Sequence, residues 1–191
     1  MKYLLAAMLL ATAGCATPRT DQPRDFFASL SMLCGKAYEG RIASPPVASD
    51  ADFAGKRLVM HVRDCTPDTI RVPFHVGNDR SRTWVVTRTT TGYRLKHDHL
   101  HENGSEDKVT QYGGDSVTPG AAVRQEFPAD AFTKALLVRE NNPAGANNVW
   151  AVEVDPGRLF AYELRRHGRF FRVEFDLARP VAPPPPPWGS R

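Results

Sequence analysis

Residues 149–177 read VWAVEVDPGRLFAYELRRHGRFFRVEFDL. Three segments rich in β-branched and aromatic residues, 149–154, 158–166 and 169–177, are separated by Asp155-Pro156-Gly157 and by His167-Gly168, both turn-forming groups. A two-residue loop at His167-Gly168 sets the register, because strand side chains alternate and a slip of one residue exchanges the faces. Arg166 then stands opposite Arg169, Leu164 opposite Phe171, Tyr162 opposite Val173 and Phe160 opposite Phe175. Glu163 meets Arg172 on the other face. The first face is apolar along the strands and the second is charged, so the first turns inward.

The same pattern extends upstream. Segments 82–90 and 92–102 read as strands meeting around Thr91-Gly92, and Asn103-Gly104 is a strong hairpin signal leading into 105–112. Segments 36–43, 57–63 and 69–76 are earlier strands, and 121–127 adds another. In front lies 25–34 (DFFASLSMLC), with Phe26, Phe27, Leu30 and Leu33 at helical spacing, Asp25 as cap and Gly35 as stop. A second short helix over 128–137 fits Asp130 near its start. The expected fold is therefore all-β and mainly antiparallel, a meandering barrel or sandwich with an N-terminal helix, because open sheet edges are a liability. One β-rich domain over 25–179 precedes a Pro-rich tail, 180–191. Its five consecutive prolines impose an extended polyproline II form. That tail reads either as a docking segment for an aromatic groove or as a stiff end with Trp188 folded back on the domain.

The N-terminus carries a different kind of information. Lys2 precedes an apolar run from Leu4 to Ala11 that is too short for a permanent membrane span. The run ends Thr12-Ala13-Gly14-Cys15, which resembles the bacterial lipobox. The resemblance implies export, cleavage before Cys15 (signal peptide 1–14), and acylation of Cys15 as a lipid anchor in the bilayer. Ala16 stands where Asp would favour inner-membrane retention, so the implied address is the outer membrane, facing the periplasm. Residues 15–24 form a lipidated tether with two prolines and no large apolar side chain.

With Cys15 acylated, Cys34 and Cys65 remain, and an exported pair in an oxidising compartment forms a disulfide. Losing Lys2 from 25 basic residues, against 21 acidic ones, leaves the mature chain about three charges positive. No basic block interleaved with aromatics occurs, which disfavours nucleic acid as a partner.

The most suggestive chemistry lies in Lys96-His97-Asp98-His99-Leu100-His101-Glu102. On a strand, His97, His99 and His101 share one face. A two-residue loop at Asn103-Gly104 places Glu106 opposite His101, Lys108 opposite His99 and Thr110 opposite His97. Three imidazoles and the Glu106 carboxylate suit a transition metal. Against this, Lys108 would put a cation inside the site, and such a run also reads as a solvated ladder. His61, His75 and His167 are isolated. No nucleophile elbow, His-Glu-x-x-His, Walker loop or dinucleotide fingerprint occurs, so neither an enzymatic activity nor a cofactor is indicated.

Leu33-Cys34-Gly35-Lys36-Ala37-Tyr38-Glu39-Gly40, a helix leading into a Gly-containing first strand, resembles the opening of lipocalin-type and other calycin barrels. Those usually carry Trp two residues after the Gly, where Ala37 stands here and an aromatic follows at Tyr38. The resemblance implies a barrel that binds a small apolar ligand. The blocks Arg80-Ser81-Arg82-Thr83-Trp84 and Tyr112-Gly113-Gly114-Asp115 resemble those of an uncharacterised family of exported proteins, which implies no activity. A rival reading is a structural or assembly accessory that meets an envelope protein partner through its surface and tail.

Overall fold

The computed structural model describes residues 25–116 and 121–190, so the expected signal peptide, Cys15 and the expected tether lie outside the described residues. Eleven strands follow one another as β1 (Ala37–Ile42), β2 (Leu58–His61), β3 (Asp64–Cys65), β4 (Thr69–Val76), β5 (Asp79–Arg88), β6 (Tyr93–His99), β7 (Tyr112–Asp115), β8 (Arg124–Pro128), β9 (Val149–Asp155), β10 (Leu159–Arg166) and β11 (Arg169–Val181). Helix α1 (Phe26–Ser31) precedes them, and α2 (Ala131–Arg139) lies between β8 and β9.

Ten strands form one antiparallel path in the order β7-β6-β5-β4-β2-β1-β11-β10-β9-β8, with β3 paired on β4 beside it. The terminal strands of the path, β7 and β8, come together through Asp130 N–H donating to the Gly113 carbonyl at 3.0 Å. The Thr133 hydroxyl bonds both backbone groups of Gly113, at 2.7 and 2.8 Å. Gly114 makes this approach possible, since a Cβ there would lie 1.8 Å from the Pro128 carbonyl oxygen. The result is a nearly closed barrel, which settles the choice between barrel and sandwich and leaves few edges to protect.

The three-strand meander follows the expected register. Leu164 pairs with Phe171, Tyr162 with Val173, Phe160 with Phe175 and Glu163 with Arg172. Its inner face enters an aromatic core in which Trp84 stacks on Phe74 at 4.6 Å and on Tyr162 at 4.4 Å, with Phe160 edge-on to Phe175 at 5.7 Å. The seam between β1 and β11 closes over Gly40, where a Cβ would lie 2.5 Å from the Phe175 ring. On the outer face Glu163 is buried between Arg124 and Arg172. Burial alone would raise its pKa, but the hydrogen bonds and charge of those two arginines hold it below the usual carboxylate value.

Helix α1 plugs one end of the barrel with Phe26, Phe27 and Leu30. Asp25 caps it by accepting from Phe27 N–H at 2.7 Å, and the same carboxylate receives Arg88 at 2.8 Å and the Tyr93 hydroxyl. Cys34 and Cys65 are joined across a sequence separation of 31, tying the exit of α1 to β3. In the chain-entropy account such a bridge stabilises by roughly 2–4 kcal/mol.

The expectation for Asn103-Gly104 needs correction. β6 stops at His99 and β7 begins only at Tyr112, so residues 100–111 form a loop. Leu100, not His101, bridges to Glu106, and His97 pairs with Tyr112 instead of Thr110. Extra residues on the return side, including Gln111 with φ 57°, are taken up between tip and strand. The signal at Asn103-Gly104 does mark a turn, with Gly104 at φ 84°. A turn fixes register only if the strands run straight into it.

Three smaller boundaries also shift. The early helix ends at Ser31, and the second helix starts one residue after its cap, Asp130, which accepts from Thr133 N–H at 2.8 Å. The last strand continues to Val181 and pairs with Ala37. The tail then lies on the outer wall, with Trp188 N–H donating to Arg80 O at 3.1 Å and the Arg80 guanidinium donating to Pro186 O at 3.0 Å.

Candidate functional site

Position along the strands decides what lies at each end of the barrel. The end of β5 and the start of β6 carry Arg88 and Tyr93, which hold α1. The start of β5 and the end of β6 therefore point the other way, and there a cavity of about 230 Å³ opens. Its walls come from seven of the eleven strands, β4 to β7 and β9 to β11, because inward side chains of a barrel converge on its axis.

Seven of the lining side chains are aromatic. Phe74 and Trp84 form the floor with Tyr162, while Tyr112 and Trp150 stand against each other at 5.5 Å. Phe53 and Phe171 meet at 4.9 Å on the remaining side. Phe53 comes from the segment between β1 and β2, a region the sequence left without a role. That segment is held by Asp50, a buried carboxylate that takes the guanidinium of Arg169 in an ion pair. Asp50 is nearly inaccessible and Arg169 largely so, which excludes water from the pair and makes breaking it costly.

The polar side of the cavity holds three arginines, two histidines and two asparagines, with no acidic residue in the lining. Arg82 is paired with Asp79, behind the wall, and lies over the Phe53 ring at 5.5 Å. Arg169 is spent on Asp50. Arg166 donates to the amide oxygen of Asn148 at 2.9 Å, and among the described residues it has no ion pair.

His97 and His99 reach this site; His101 does not line it. His97 Nδ1 lies 3.0 Å from the Tyr112 carbonyl oxygen, which can only accept, so Nδ1 carries the proton. Nε2 is then an acceptor and takes the Tyr162 hydroxyl at 2.7 Å. Burial lowers the His97 pKa to about 3 and raises that of Tyr162 well above its ordinary value, which keeps both groups neutral in this arrangement. His99 Nε2 lies 3.2 Å from the Tyr112 hydroxyl, and burial, followed by the charge of Arg82, lowers its pKa to about 4.

His101 is exposed on the 100–111 loop with Asp107 3.8 Å away, and Glu106 is exposed beside the bridge to Leu100. Thus the four residues read as a metal set divide into two in the cavity and two on the loop. Among the described residues, no group of three or more His, Cys, Asp or Glu side chains is placed to hold a metal ion.

Sequence reasoning missed Asp50, Phe53, Arg82, Arg166 and Arg169. A signal for two of them was nevertheless present. The hairpin register puts Arg166 directly opposite Arg169, on the inner face, where like charges repel. Such a pair at the rim of a barrel calls for acceptors from elsewhere, and the structure supplies them as Asn148 and Asp50.

Comparisons of the chain with protein-family models, with curated proteins and with solved structures return no match. The architecture is consistent with a calycin-like barrel, and the site has to be read from its own chemistry.

Proposed function

We propose that the protein is a lipoprotein of the cell envelope, anchored by acyl chains on Cys15 and facing the periplasm, whose barrel binds one small molecule with an apolar body. The observation that carries the binding half is the aromatic-lined cavity at the end of the barrel opposite α1. Ligand sites are concave and mostly apolar, with a few convergent polar groups, and this one has that composition. It is small beside the roughly 300–1,000 Å³ usual for drug-sized ligands, which limits the occupant to a compact molecule. The anchoring half rests on Thr12-Ala13-Gly14-Cys15, and the outer-membrane address on Ala16.

The reading of the tail as a docking segment for an envelope protein loses ground to its packing. The Pro-rich end already uses its backbone on Arg80, so a partner would first have to lift it from the wall.

The two halves are tested separately. Cys15→Ala should move the protein out of the carbonate-washed membrane fraction, and persistence there would refute the anchor. Native mass spectrometry of protein purified from its host should show a retained mass of a few hundred daltons or less, or small apolar compounds should raise the melting point. Failure of both would refute the binding role.

A further inference from the structure

Three arginines converge on a cavity whose lining contains no carboxylate, and they are not equivalent. Arg82 and Arg169 are neutralised from behind by Asp79 and Asp50. Arg166 is met only by a neutral amide, so among the charged side chains lining the cavity it is the one without an ion pair. A half-buried guanidinium has lost much of its hydration, and Asn148 occupies only part of its donor set. Arg166 lines the cavity together with its aromatic rings.

Resting on the binding role above, we propose that the ligand is a small aromatic monocarboxylate, with its ring among Trp84, Trp150 and Phe171 and its carboxylate on Arg166. Size supports the ring: an apolar cavity of about 150 Å³ holds benzene. The 230 Å³ here leaves room for a ring and a short acidic side arm. Charge supports a monoanion, since one uncompensated cation balances one negative charge and a phosphate dianion would remain in excess. Geometry supports a carboxylate, because the planar fork of a guanidinium matches its two oxygens. Both ring nitrogens of His97 are already engaged, whereas the neutral His99 can serve as a hydrogen-bond partner for a polar substituent without adding charge.

The test uses the exported, processed protein and two probes of equal shape, phenylacetate and phenylacetamide, measured by calorimetry. Phenylacetate should bind about tenfold more tightly than the amide. Arg166→Gln should weaken phenylacetate far more than phenylacetamide and so remove that preference, and Arg166→Lys, which keeps the charge without the fork, should retain part of it. Inorganic phosphate should not compete. Equal binding of acid and amide, or a preference that survives Arg166→Gln, would overturn the carboxylate assignment and leave the apolar-cavity role standing. Absence of saturable binding by either probe at millimolar concentration would overturn both.

Discussion

The meander β9–β10–β11 and the arm β6–β7 are both antiparallel and adjacent to the same cavity, yet they are built on different logic. In the meander a two-residue loop joins strands that pair without interruption from Arg166–Arg169 to Leu159–Asp176. Local chemistry therefore propagates along the whole hairpin. In the arm, twelve residues separate β6 from β7, and the ladder has only four pairs, Arg94–Asp115 to His97–Tyr112. What holds β7 in place is non-local: Thr133 and Asp130 at the start of α2, and the close passage of Gly114 past Pro128. The meander is specified by its turn and the arm by what packs against it.

The largest break in this comparison should come from the meander core. Phe175 is fully buried, packs on Gly40 and touches Phe74, Trp84 and Phe160. Phe175→Ala should cost about 3–5 kcal/mol in urea unfolding. Arg172, on the outer face of the same strand, pairs with Glu153, Glu163 and Glu174, and changing it to Ala should cost less than losing Phe175, because Glu163 keeps Arg124 as a partner. Equal losses would contradict the inward face assigned to Phe175.

Acid should sharpen the comparison by acting on the arm. Burial lowers His97 to about 3 and His99 to about 4, both on β6, and also lowers His75 to about 4, on β4. Below about pH 6.5 the unfolded chain takes up these protons while the folded chain does not, so stability falls as the pH falls. Above 6.5 these groups contribute no pH dependence. Between pH 6.5 and 5 the carboxylates stay ionised in both states, which isolates the histidines. Each contributes a slope of at most about 1.4 kcal/mol per pH unit. His97→Gln, whose amide can still donate to Tyr112 O and accept from Tyr162, should flatten the curve by one proton's worth. A pH profile unchanged by the substitution would place His97 in contact with water.

The smallest effect belongs to the tip of the arm. Asn103 is exposed and bonds only its own turn, through Ser105 N–H at 3.0 Å and the Ser105 hydroxyl at 2.7 Å. Asn103→Ala should change stability by less than about 0.5 kcal/mol. A loss comparable to that of Phe175→Ala would mean that the turn, after all, fixes the arm.

Much of the fold was legible because it rests on short-range rules. Alternation and the His167-Gly168 turn determine which way Phe160, Tyr162 and Phe175 point, since a strand has only two faces and a two-residue loop permits one register. Asp25 and Asp130 mark helix starts because a carboxylate there meets unpaired backbone N–H groups. Cys34 and Cys65 pair as expected. The metal-ligand reading of the histidines went another way because it depended on register carried across the 100–111 loop, where extra residues are absorbed without any local mark.

Tertiary structure alone decided the cavity. Asp50 and Arg169 are 119 residues apart, and nothing in either neighbourhood announces the other. Phe53 reaches Phe171 only because β1 pairs with β11, whereas Arg166 meets Asn148 as the next pair of the β9–β10 ladder. The sequence determines faces and turns, which are properties of neighbours along the chain. Closure brings together residues that no periodicity relates, and the charge left on Arg166 follows from which carboxylates closure delivers to the rim.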